Sequence, residues 1–240
     1  MTIDDERLTR LRTAATAGEA GAAFALGRLL CLTATGPADA PEDIEGPGQN
    51  WPEEPWLRAA LDSRPGHVPA MTLLAGRLVQ QIDFWQNMCE LNPEAAEAYG
   101  EDETTLARRR TEADALLARA AAAGPEHHPA GPYGCYVLDD TGWSGSTAHG
   151  ATLVASRPEE LRWACDQWFS VVGGCGLSGA PTLTTYAHGE RTSVIHLAAH
   201  FDRTVDWDTV PLPPLTGEEL PAGLPVPGSG LPYGFAARVD

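Results

Sequence analysis

Leu11-Arg12-Thr13-Ala14-Ala15, then Gly18, Ala22-Ala23 and Leu26-Gly27-Arg28-Leu29, is the stretch on which the fold of this chain turns. The phrase returns at Leu57-Arg58-Ala59-Ala60, Gly66, Ala70 and Leu74-Ala75-Gly76-Arg77-Leu78. It begins a third time at Leu117-Ala118-Arg119-Ala120-Ala121, Gly124, Ala130 and Gly134. Leucines recur three and four residues apart, which is the α-helical period, and glycine stands where each helix should stop. Each copy therefore predicts two short antiparallel helices. Alanine and glycine between them let the helix axes close up.

Outward from that phrase, the spacing predicts helices over 3–17 and 22–32, and again over 56–62, 67–88 and 103–123. Thr104-Thr105 offers a start for the last of these, and Gly124-Pro125 a stop. The stretch from Gly36 to Pro55 holds five prolines and six acids without a base, which predicts a loop. A second acidic break is expected over 92–102.

After residue 130 the texture changes. Aromatic and β-branched residues predict strands over 133–138, 150–155, 182–188 and 193–201. A helix is expected over 157–169, with Ser156 as its cap and Glu159-Glu160 facing the positive end of its dipole. The arm 211–232 carries seven prolines and should be extended, before a last edge strand over 233–239. The fold class expected is α+β. A helical scaffold over 1–130 precedes a small module over 131–240, with a mostly antiparallel sheet of three or four strands. The third copy of the phrase keeps its first helix, and its second half, from Tyr133 on, reads as strand.

The phrase L-x-x-A-A, then G, then A-x-x-L-G resembles the Sel1-like branch of the tetratricopeptide repeats. The matching small positions are Ala14, Ala15, Gly18, Ala23 and Gly27, then Ala59, Ala60, Gly66 and Gly76, then Ala120, Ala121, Gly124 and Gly134. The likeness spans about residues 5 to 135. Gly27 to Gly76 and Gly76 to Gly134 are longer steps than that family's period of ~34 to 40 residues, and the acidic breaks would be insertions. The resemblance implies stacked helix pairs and a concave face for a peptide or protein partner. The C-terminal half resembles nothing recognised.

The formal net charge is −17, with 11 bases against 21 acids up to residue 130 and 5 against 12 beyond it. So general an acidity disfavours nucleic acid and anionic membranes and permits a basic protein partner. All 16 bases are arginine. Without lysine there is no Schiff-base chemistry, no P-loop lysine and no serine–lysine hydrolase. Five cysteines without CxxC spacing read as separate thiols rather than a disulfide or zinc framework. An acidic start without an apolar leader, and no run of 18 apolar residues, give the expectation of a cytoplasmic protein that enters no membrane.

Chemistry-bearing candidates are few. His196 and His200 stand four apart, with His188 and Asp202 nearby, and together they are the candidate ligands for a divalent metal. On a helix the spacing would stack two imidazoles, but the Glu of HExxH is replaced by Leu197. On a strand the two residues would sit ~13 Å apart. Gly174 to Gly179 fits GxGxxG without a helix to open. Gly142 to Ser146 and Gly176 to Ala180 are near-misses to GxSxG, and Cys175 is a nucleophile only with a distant His. No cofactor is called for. Trp51 and Trp56 should pin the acidic loop, and with Trp143 and Trp207 they are the candidate partner-binding aromatics, core burial being the alternative for each. The function expected is that of an adaptor or inhibitor-like protein. Alternatives are a metal-dependent hydrolase built on the His/Asp group and an immunity protein masking a basic partner.

Overall fold

In this computed structural model the residues described are 5–32, 51–123, 133–144, 147–164, 182–187, 190–196, 210, 212–213, 215, 218–219 and 233–239. Helices α1 (Asp5–Thr16), α2 (Ala20–Cys31), α3 (Glu54–Ser63), α4 (Val68–Leu91), α5 (Pro93–Ala98) and α6 (Glu103–Ala122) come first. Strands β1 (Tyr133–Ser144), β2 (Thr147–Ala155), β3 (Thr182–Ala187), β4 (Glu190–His196), β5 (Glu218–Glu219) and β6 (Phe235–Val239) follow, with a helix α7 described over 158–164. Helices followed by a mainly antiparallel sheet make the chain α+β. No helix among the described residues is long and apolar enough to cross a membrane.

The helices pack in succession, α1 on α2, α2 on α3, α3 on α4 and α4 on α6. The repeated glycines explain part of this. A Cβ on Gly27 would stand 2.9 Å from the Leu57 side chain, so only hydrogen lets α3 lie so close to α2. The turn after α1 is made at Gly18, whose φ of +90° is left-handed. His67 caps α4, its Nδ1 accepting the Ala70 N–H at 3.2 Å. Helix α6 starts at Glu103, as expected, and two residues before the threonine pair its cap is Asp102, whose carboxylate accepts the Thr105 N–H at 2.7 Å. A charged acceptor suits the positive end of the helix better than a hydroxyl. The acidic break over 92–102 contains α5, which Pro93 opens without losing a needed N–H.

The sheet runs β4-β3-β1-β2-β6, with the two-residue β5 parallel to the start of β1. It has more strands than the three or four expected. The β1–β2 hairpin reaches Ser144↔Thr147, well past Leu138 where apolar patterning ends. Polar cross-strand pairing carries it on, for the Thr152 hydroxyl donates to Asp139 at 2.7 Å. Strand β4 starts at Glu190, three residues early, and as an edge strand it is mostly exposed. The last strand, β6, takes the opposite edge beside β2. Gly134, the last small position of the third phrase, lies in β1, so that copy does turn into a strand. The acidic loop before Trp51, the predicted helix beyond 164 and most of the proline-rich arm lie outside the described residues.

Two cores tie helices to sheet. Leu29 of α2 and Leu32 at its C-cap pack with Tyr136, Leu138, Leu153 and Leu161. Phe235 of β6 packs among Leu74 and Leu78 of α4 and Leu116 of α6. The last strand is thus a sheet edge and a member of the helical core at once.

Candidate functional site

Both copies of Gly-Arg-Leu put their arginine on the buried side of a nearly apolar helix. Arg28 and Arg77 are 7% and 0% exposed. A guanidinium there must find partners, because a lone buried charge is very costly.

Arg28 meets Glu160 of α7 with both prongs, Nη1 donating to Oε2 at 2.8 Å and Nη2 to Oε1 at 2.6 Å. The Tyr233 hydroxyl also donates to Glu160 Oε2, at 2.6 Å. The Arg28 guanidinium lies 4.7 Å from the Tyr233 ring centre. Burial works against the charge on Glu160, but the hydrogen bond and charge of Arg28, with help from Tyr233, outweigh it and hold the carboxyl below its usual range. For Arg28 burial is likewise outweighed by Glu160, and its pKa rises. Ser156, expected to cap α7, has no hydrogen-bond partner on its hydroxyl among the described residues. Glu160 does not face solvent at the helix start but turns inward to Arg28.

Arg77 donates through Nη1 to the Ala236 carbonyl at 2.9 Å and through Nη2 to the Cys31 carbonyl at 2.6 Å. Nη1 also bonds Gln80. Its guanidinium lies 4.7 Å from the Phe235 ring centre. Its Nε is 2.8 Å from Glu53 Oε1, with both side chains fully buried. That contact is an ion pair without hydrogen-bond alignment, and neither Glu53 oxygen has a hydrogen-bond partner among the described residues. Burial raises the Glu53 pKa and Arg77 opposes this only in part. Burial also pushes the Cys31 thiol up to about 12.

The two arginines grip one segment, Tyr233-Gly234-Phe235-Ala236. Gly234 has φ +74°, and any Cβ there would collide with the Arg28 side chain. Its N–H donates to the Val154 carbonyl at 2.9 Å, which starts the β2–β6 ladder. A Cβ on Gly76 would rest 3.5 Å from the Phe235 ring. Chemically this is a lock. Glu160 accepts from three donors, which fix it as the charged partner of Arg28.

Of the residues singled out in the sequence, His196 is exposed on β4, its Nδ1 3.4 Å from the Thr182 hydroxyl. His188, His200 and Asp202 lie outside the described residues. Among the described residues no group of three or more His, Cys, Asp or Glu is placed to hold a metal. Trp51 is 7% exposed and meets Phe84 edge-on at 6.3 Å. Trp56 is half-buried against the Ala15–Leu26–Ala60 cluster. The Trp143 backbone lies in β1, and Trp207 is outside the described residues. Free Cys31 and Cys135 are buried, and Cys89 half-buried. A groove of about 520 Å³ between α1 and α2 is lined by Arg7, Arg10, Leu11, Ala14, Glu19 and Ala22 among others.

The arginine grip left one signal in the sequence. Arg28 and Arg77 are the lone charges in long apolar stretches, and both follow the glycine of the repeated phrase. The comparisons with protein families, characterised proteins and solved structures find no match.

Proposed function

We propose that the chain is a protein-binding module, a short array of repeated helix pairs closed by its own sheet. The observation that carries this reading is the equivalence of the two copies. Gly27 receives Leu57 of the following helix, and Gly76 receives Phe235 of β6. The strand meets α4 at the glycine that matches the one by which α2 receives α3. Repeat arrays need a closing element, and they work by presenting a preformed surface to another protein. The grip of Arg28 and Arg77 on the last strand is the device that makes two copies sufficient.

Crosslinking in cells tests this. The chain has no lysine, so carboxylate-directed or photoactivated reagents are required. A protein recovered in near-stoichiometric amount and re-forming the complex from purified components is the expected result. A purified chain that binds no protein and turns over a small molecule would refute it.

A further inference from the structure

We infer that the face formed by the end of α4, by α5 and by Tyr99 docks a basic protein segment carrying an apolar anchor. Leu91 is 75% exposed and Tyr99 53%, among the most exposed large hydrophobic side chains described. Tyr99 is not a loose aromatic. Its ring packs 5.4 Å from Trp85, which packs 5.0 Å from Phe84, which meets Trp51. Trp85 is only 2% exposed. The aromatic row therefore runs from the interior to the surface and holds its outer member in place. A pre-positioned aromatic on the same helix–helix corner as an exposed leucine at the end of α4 is the kind of anchor on which interfaces depend.

The charge along this stretch of chain selects the occupant. No base occurs from residue 78 to 107, while Asp83, Glu90, Glu94, Glu97, Asp102 and Glu103 are all exposed. Glu101 is taken by Arg109, so the remaining acids face solvent. A partner must bring Arg or Lys to flank an apolar side chain. An anionic membrane or a nucleic acid would be repelled. The Tyr99 ring adds a cation–π seat for the partner's base.

This surface rests on the protein-binding role proposed above, and its test separates the two. The probe is a fluorescein-labelled amphipathic peptide of about 16 residues built from Arg, Leu and Phe, followed by anisotropy. Binding should weaken about tenfold from roughly 50 to 500 mM salt. Leu91→Ser, at a side chain three-quarters in solvent, should weaken it at least about tenfold with the far-UV spectrum and Tm unchanged. Glu94→Gln/Glu97→Gln should flatten the salt dependence, while Glu6→Gln/Glu190→Gln, removing the same charge elsewhere, should not. No binding up to about 500 µM, equal loss from both glutamate pairs, or full affinity in Leu91→Ser would overturn the assignment. A natural partner bound equally by wild type and Leu91→Ser would overturn this face and leave the protein-binding function standing.

Discussion

Arg28 and Glu160 lie 132 residues apart in the chain, yet they form a two-pronged ion pair in which the arginine side chain is 8% exposed and the glutamate 0%. The pair joins α2 to α7, which packs on the sheet, and Tyr233 of the C-terminal segment completes it.

Removing one partner of a buried pair strands the other charge, at a cost of about 3–5 kcal/mol. Glu160→Gln and Arg28→Met should each destabilise the chain by about that much, read by urea denaturation. The double variant Arg28→Met/Glu160→Leu, which leaves neither charge, should recover most of the loss. Single-variant losses below about 1 kcal/mol would contradict the pair's role.

The two buried glutamates should give opposite pH responses. Glu160 has a folded pKa below its ordinary value, so its stabilisation is full above that ordinary value and fades as pH falls through the folded one. The gap between wild type and Glu160→Gln should therefore close in acid, below about pH 4.5. Glu53 has a raised pKa, so the folded state holds its proton more tightly than the unfolded chain does. Its contribution is greatest in acid and is lost as pH climbs from its ordinary value through the folded one. The gap between wild type and Glu53→Gln should shrink with rising pH over that window. Parallel pH profiles for the two variants would refute this assignment.

The glycines sort by what surrounds them. Gly234→Ala should cost more than about 1 kcal/mol, since it adds left-handed strain and displaces Arg28. Gly27→Ala should destabilise as well, because Leu57 is fully buried and cannot swing away. Gly76→Ala, at the equivalent place in the other copy, should gain up to about 1 kcal/mol, because its Cβ reaches ordinary contact with Phe235 and alanine favours the helix. Thermal melts decide among them, and a destabilised Gly76→Ala would count against the packing described.

Cys31 and Cys135 are buried with thiols pushed up to about 12, so little thiolate exists at neutral pH. Both should resist iodoacetamide in the native chain and react on unfolding, with labelling located by peptide mass spectrometry. Rapid native labelling of Cys31 would mean that the Arg77 grip on its carbonyl opens easily.

Much of this architecture was legible in advance. Leu26, Leu29, Leu74 and Leu78 fall on a helical period, and that period reports a buried face directly. The start of α6 at Glu103 was legible, whereas only geometry selects Asp102 as its cap from the several capping residues that stand together at 102–105. The hairpin beyond Leu138 was invisible because it is a backbone ladder over mostly polar and small positions, with Thr152 bonded to Asp139, and apolar patterning does not register such a ladder. The buried arginines were missed for a stronger reason. Arginine is normally exposed, and the partners are distant in the chain: Glu160 and Tyr233 lie 132 and 205 residues from Arg28, Ala236 lies 159 from Arg77, and Glu53, the other partner of Arg77, falls in the stretch expected to be an acidic loop. Of the His/Asp group, only His196 falls among the described residues, on an exposed edge.

The central claim is that Arg28 and Arg77, by gripping the last strand, make helices and sheet one cooperative unit. Native-state hydrogen exchange tests it most directly. Amides of α2 and α4 and those of β1, β2 and β3 should exchange with a single opening free energy in the wild-type chain. They should separate into two in Arg28→Met/Arg77→Met, with the sheet opening first. Two distinct opening free energies already present in the wild type would contradict the account.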